Sequence, residues 1–303
     1  MPSLQHAVVA ALVGRLRTNL PPDDVPAMRE ALTEENRHHR EGPPSRVRTG
    51  HEEHISNDRG FPVVSLWKPT AGGTPPTRAV VYLHGGGYVH PSDPRHWAFA
   101  TRLADTLGAR LVMPLYPLAP EFTVEDSFDE VADLVEELVG QSPQGVVLVG
   151  DSAGGGYALA VAEELRDRGG PQPRRLVLLA PWVDLSSSST GIAEAAARDP
   201  WLSHDHLSIY ASFWAGSDDP AVLAGPRVSP GLGDLTGLPR ALMFCGTRDL
   251  LQPGCDDLFA RADEAGWDLA YVVAPGLVHV YPLLPIPEAK RAFDSIVEFC
   301  RDD

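Results

Sequence analysis

Gly150-Asp151-Ser152-Ala153-Gly154 constrains this chain more than any other stretch of it. The segment follows an apolar run, residues 146–149, that reads as a buried strand, and it opens a helical stretch beginning at Ala153. A sharp turn between strand and helix holds its central serine in a strained backbone conformation and lifts the hydroxyl clear of the sheet. Gly150 and Gly154 leave space for neighbouring backbone to approach. Ser152 is therefore the candidate nucleophile. The adjoining helix start, beginning with the Ala153 N–H, offers partial positive charge where an oxyanion would develop. A Gly-x-Ser-x-Gly turn also arises by chance, so its place between strand and helix carries the reading.

The flanking pattern agrees. Strands are predicted at residues 61–67, 78–83, 109–115, 145–149, 175–179, 241–245 and 269–273, and helices at 97–107, 124–139, 153–168, 255–265 and 288–300. Strands alternating with helices of this length predict a mostly parallel α/β sheet covered on both faces. Residues 1–40 read as two short helices broken at Pro21-Pro22, and residues 42–50 as a linker. Residues 184–230 are rich in Ser, Asp, Pro and Gly, with one helix expected near 206–214, and read as an insertion above the sheet. The expected division is an N-terminal segment, residues 1–50, and a catalytic domain, residues 51–303.

Three further positions complete a site. His84-Gly85-Gly86-Gly87 directly follows the predicted strand 78–83, and glycines expose backbone N–H groups without steric cover. Gly85, Gly86 and Ala153 are the expected oxyanion donors, with His84 bracing the loop. Neither glycine cluster continues into Lys-Ser/Thr or forms Gly-x-Gly-x-x-Gly, which argues against nucleotide binding. Asp249 and His279 each stand in a loop after a predicted strand, and the chain order Ser, Asp, His suits this architecture. His279 would take the Ser152 proton, and Asp249 would fix the imidazole tautomer.

The remaining histidines carry no such context. His51-Glu52-Glu53-His54 is one residue short of a helical zinc pair, and His38-His39 and His204–His206 lack partner ligands, so no metal is expected. A net charge of −16, from 25 basic and 41 acidic residues, opposes nucleic acid and anionic membrane. Residues 7–13 run into Arg15 and Arg17 with no basic segment before them, so they read as an amphipathic helix rather than a signal peptide. No apolar run reaches membrane-spanning length. Three cysteines without zinc or Cys-x-x-Cys spacing suggest reduced thiols and a cytoplasmic setting.

On His84-Gly85-Gly86-Gly87-Tyr88, Tyr116-Pro117-Leu118-Ala119-Pro120-Glu121, Gly150–Gly155 and the Asp249 and His279 loops, the chain resembles the bacterial hormone-sensitive lipase-like esterases of the α/β-hydrolases. The resemblance runs from about residue 60 onward. It implies an α/β-hydrolase fold whose helical cap comes from residues 1–50 and 184–230, and hydrolysis of short- to medium-chain acyl esters without a cofactor. It assigns Glu121 a supporting role and allows a homodimer. Pro117, Gly156 and Val280-Tyr281 depart from the common family pattern, which touches the pocket and leaves the triad alone.

Tyr88, Trp182, Trp214 and Tyr281 are the expected substrate-binding aromatics, beside His90, Trp97, Trp201 and Phe213, although each suits core packing equally well. Lactone hydrolysis or deacetylation of a specific metabolite would use the same chemistry. A lyase, a peptidase or a non-catalytic small-molecule receptor on this fold are the other readings, the last opposed by an intact triad.

Overall fold

Among the described residues, three helices precede the first strand: α1 (Leu4–Val13), α2 (Val25–Asn36) and the single turn α3 (Ser45–Arg48). The strands are β1 (Glu52–Ser56), β2 (Val63–Trp67), β3 (Ala79–Leu83), β4 (Arg110–Pro114), β5 (Val146–Asp151), β6 (Arg175–Leu179), β7 (Ala241–Arg248) and β8 (Leu269–Val278). Between and after them lie α4 (Pro94–Leu107), α5 (Phe128–Gln141), α6 (Ala153–Asp167), α7 (Ile192–Arg198), α8 (His204–Ala215), α9 (Pro220–Leu223), α10 (Gln252–Ala265) and α11 (Pro287–Arg301). This is a computed structural model, and it describes residues 2–13, 21–37, 42–70 and 72–301. Arg15, Arg17, His38 and His39 lie outside the described residues.

The eight strands form one sheet in the order β1-β2-β4-β3-β5-β6-β7-β8. Strand β2 runs antiparallel to β1 and β4, and every pairing from β4–β3 through to β7–β8 is parallel. The central strands are apolar throughout because both faces are covered. Val81, Leu148, Leu178 and Met243 face a core shared with α5, α6 and α10. Their neighbours Val80, Val147, Val177 and Leu242 face a second core with α4 and α11, as the two-residue strand period requires.

Several expectations shift. Residues 52–56, weighed above only for metal spacing, form strand β1 paired with β2, so His51 and His54 are not on a helix. His51 instead sets Nε2 3.0 Å from Asp105 Oδ1. The expected linker contains α3, and residues 184–230 hold three helices, α7, α8 and α9, rather than one. Residues 124–126 form a separate 3-10 turn before α5, capped where Asp126 accepts from the Thr123 N–H.

The N-terminal segment divides its contacts. Helix α2 reaches the Leu118–Glu121 turn, where Asn36 Nδ2 donates to Ala119 O at 3.0 Å and Arg29 Nη1 to Pro120 O at 3.0 Å. Helix α1 packs elsewhere: the buried His6 accepts the Val278 N–H on Nε2 at 3.3 Å, and Ser3 bonds Glu288 at the start of α11. Among the described residues, no helix is long and apolar enough to cross a membrane.

Candidate active site

Strand β5 ends at Asp151 and α6 begins at Ala153, so Ser152 alone makes the turn. Its φ of 52° and ψ of −122° place an L-residue in the left-handed half of backbone space, a strained state held by tertiary bonds. The Ser152 N–H donates to Leu179 O at 2.9 Å, and its carbonyl accepts from the Trp182 N–H at 2.8 Å. Glycine is required on both sides: a Cβ on Gly154 would stand 2.0 Å from Leu83 O, and one on Gly150 2.1 Å from Gly154 O.

Residue 279 follows the last residue of β8, and residue 249 follows the last of β7. Adjacent parallel strands thereby bring together two side chains thirty positions apart. His279 Nε2 lies 2.9 Å from Ser152 Oγ, and His279 Nδ1 lies 2.9 Å from Asp249 Oδ2. A proton on Nδ1, facing the carboxylate, leaves the Nε2 lone pair aimed at the serine hydroxyl. Burial alone would lower the imidazole pKa. The Asp249 charge and hydrogen bond outweigh it, with the Asp199 and Asp151 carboxylates behind, so the pKa is raised above its ordinary value. Asp249 is wholly buried; its Oδ1 accepts the Leu251 N–H at 2.9 Å, and the Cys245 thiol approaches Oδ2 at 3.6 Å.

Asp151, beside the serine, organises the glycine loop. Its Oδ1 accepts the Tyr82 hydroxyl at 2.6 Å and the Gly85 N–H at 3.0 Å, and its Oδ2 stands 3.3 Å from His96 Nε2. Burial would raise this carboxyl, but these partners hold its pKa below the usual carboxylate value. The Gly85 N–H is therefore spent on Asp151, which corrects the expectation that it faces an oxyanion. Gly86 and Gly87 line the cavity over Ser152, at φ of 119° and 62°. A Cβ on Gly86 would stand 2.6 Å from His90 O, and one on Gly87 2.9 Å from the Tyr210 ring. His84 braces the loop as expected, its ring stacked 4.6 Å from Tyr116, whose hydroxyl donates to His84 O.

Above Ser152 lies a cavity of about 670 Å³. The four expected substrate aromatics do not border it. Tyr88 stacks on Trp214 at 4.3 Å and on Trp182 at 5.9 Å within the α6-side core, while Tyr281 packs 6.4 Å from Phe244 in the opposite one. Burying these large rings among one another stabilises the fold more than lining an open cleft would. The lining includes apolar Trp201, Leu202, Leu207, Leu283 and Leu284 together with polar Glu35, His90, Arg95, His206 and Tyr210. Trp201 presents its ring edge-on to His279, with centroids 5.8 Å apart.

Sequence reading also missed Asp199. This buried carboxylate accepts the N–H groups of Trp201 and Leu202 on Oδ1, at 2.6 and 2.9 Å, and that of Leu250 on Oδ2 at 2.7 Å. It thus ties the segment carrying Trp201 to the loop carrying Asp249. Burial and the nearby Asp249 charge raise its pKa from the usual carboxylate value. The one available signal was Asp199-Pro200 closing a short helix ahead of an aromatic.

A strained serine between strand and helix, hydrogen-bonded to a histidine that is hydrogen-bonded to a buried aspartate, defines the serine-hydrolase class on a mostly parallel sheet. Residues 80–283 match the family model described as the alpha/beta hydrolase fold, and the chain belongs to the α/β-hydrolase family. It is 33% identical over 287 residues to an acetyl-hydrolase of Streptomyces hygroscopicus, covering 89% of this chain and 94% of the relative. It is 29% identical to an esterase of Acinetobacter venetianus over 74% of each chain. Among solved structures, an esterase of the bacterial hormone-sensitive lipase family superposes with a TM-score of 0.77, at 29% identity over 99% of both chains.

Proposed function

We propose that this chain is a carboxylester hydrolase in which Ser152 is the nucleophile, His279 the base and Asp249 the orienting acid. The observation that carries the reading is the continuous Ser152–His279–Asp249 hydrogen-bond chain, 2.9 Å at each link, at the floor of the cavity. Ser152 Oγ attacks the ester carbonyl while its proton passes to His279 Nε2. The carbonyl oxygen becomes an oxyanion held by the N–H groups of Gly86, Gly87 and Ala153. Collapse breaks the acyl–oxygen bond, and His279 returns the proton to the departing alcohol. Water, deprotonated by the same histidine, then attacks the acyl-enzyme, releasing the carboxylic acid and restoring Ser152. None of these steps calls for a metal or cofactor.

The cap is assigned to residues 1–50 and 184–230, supported by Pro22 just before α2, Glu35 on α2, and Leu207 and Tyr210 on α8, all of which border the cavity. The Streptomyces relative's name supports a short acyl group such as acetyl. A non-catalytic receptor is opposed by the complete serine–histidine–aspartate geometry. Hydrolysis of p-nitrophenyl esters from acetate to decanoate, wild type beside Ser152→Ala, tests the reading. Activity at short chain lengths should fall by about 10⁶ in kcat in the variant, down to the assay background. Activity retained by the variant would overturn it.

A further inference from the structure

Resting on the esterase reading, the geometry points to a polar subsite in the cavity, formed by Glu35, His90 and Tyr210, that binds a hydroxyl-bearing half of the ester. These residues come from three separate parts of the chain: helix α2, the loop after Gly87, and helix α8. Glu35 Oε2 lies 2.8 Å from His90 Nδ1, and the Tyr210 hydroxyl lies 3.5 Å from His90 Nε2. All three border the same cavity as Ser152.

The chemistry of the set selects its ligand. The Glu35 carboxylate draws the His90 ring proton to Nδ1 and leaves Nε2 as an acceptor facing Tyr210. The carboxylate keeps a second oxygen as an acceptor, and the phenol both donates and accepts. Such a wall pairs with O–H groups, which also donate and accept. An unbranched alkyl chain placed there would strip solvent from the half-exposed carboxylate and imidazole and offer no hydrogen bond in return. An anionic group is opposed by the Glu35 charge, since the Arg95 guanidinium lining the cavity is already paired with Asp93. The apolar lining residues Trp201, Leu202, Leu207 and Leu283 of the same cavity take the other half of the substrate. The substrate class is therefore the short acyl or alkyl ester of a neutral hydroxylated compound, rather than a fatty-acid ester or an anionic one.

Two matched pairs of substrates test this. Glycerol monoacetate against propyl acetate places the hydroxyls on the alcohol half. Methyl 2,3-dihydroxypropanoate against methyl propanoate places them on the acyl half. The readout is the ratio of kcat/KM within each pair, for wild type, Tyr210→Phe and His90→Phe, with Tm recorded for each protein. In one pair the wild type favours the hydroxylated ester, and the ratio falls about fivefold in Tyr210→Phe and further in His90→Phe, as expected for loss of hydrogen bonds to an uncharged ligand. Because the ratio is taken between variants, intrinsic ester reactivity cancels. Ratios that match wild type in both folded variants for both pairs overturn the subsite and leave the esterase reading standing. A wild type that hydrolyses none of the four esters, nor p-nitrophenyl acetate, overturns the esterase reading itself. Variants that lose Tm while keeping the wild-type ratio assign these residues to cap docking and overturn the subsite.

Discussion

Asp199→Asn separates a residue that positions the catalytic acid from one that merely fills space. Three backbone N–H groups donate to the Asp199 carboxylate, at 2.6, 2.9 and 2.7 Å, an arrangement that suits the ionised form. Asparagine keeps a single acceptor oxygen. With that oxygen toward Trp201 and Leu202, its NH₂ group confronts the Leu250 N–H, and one charge-assisted bond becomes a donor–donor contact. A bond of that kind contributes about 1.5–3 kcal/mol. At about 2–4 °C per kcal/mol for larger domains, Tm should fall by roughly 3–12 °C. Two functional effects accompany it. The loop carrying Asp249 loses its tether, which lowers kcat more than it raises KM. His279 also loses a nearby negative charge that helps raise its pKa, so the acid limb of kcat/KM moves to lower pH. Thermal unfolding and a pH–rate profile on p-nitrophenyl acetate read both. An unchanged acid limb with unchanged kcat would refute the positioning role, whatever happened to Tm.

Three further outcomes follow from the buried charges. With His279 raised above its ordinary value by Asp249, kcat/KM should fall as pH drops through a midpoint above about 6.5, because the protonated ring cannot accept the serine proton; a midpoint well below 6 would contradict the pairing. Glu163, buried on α6 with Oε1 lacking a hydrogen-bond partner among the described residues, is pushed by burial up to about 9. The unfolded chain therefore ionises this group from about pH 4.5 while the fold keeps it neutral. Stability is lost as pH rises toward 9, and the loss amounts to about 3 kcal/mol at pH 7. Glu163→Gln should flatten that part of the denaturant-measured stability–pH curve, and parallel curves would show that Glu163 is already ionised in the fold. Asp151→Ala releases the Gly85 N–H and the Tyr82 hydroxyl; kcat should drop by about tenfold to a hundredfold as the glycine loop loses its anchor, and an undiminished kcat would argue against that role.

The alternating strands and helices were legible because each central strand is buried on both faces and so reads as an unbroken apolar run. The candidate triad was legible for a local reason: each member sits at the carboxyl end of a strand, beside glycine or a strand-ending turn. Strand β1 was not, because its exposed polar residues, Glu52, Glu53 and His54, lack the apolar signal that marks a covered strand. The pocket walls were misread for a related reason. Nothing in composition distinguishes Tyr88 and Trp214, stacked in the core, from Trp201 and Tyr210 at the cavity, because the difference lies in how α8 docks over the glycine loop. Gly85 was misassigned because Asp151, which takes its N–H, lies sixty-six residues away in sequence at the end of the adjacent strand β5.

The most direct test of Ser152 as the nucleophile is intact-protein and peptide mass spectrometry after treatment with a p-nitrophenyl phosphate triester such as diethyl p-nitrophenyl phosphate. Attack by Ser152 Oγ displaces p-nitrophenolate and leaves a stable diethylphosphoryl group on the serine. A Ser152 nucleophile predicts one adduct per chain, located on the peptide containing Gly150–Gly154, with esterase activity lost in proportion and no adduct on Ser152→Ala. Stoichiometric labelling at any other residue, or full activity in a chain labelled at Ser152, would contradict it.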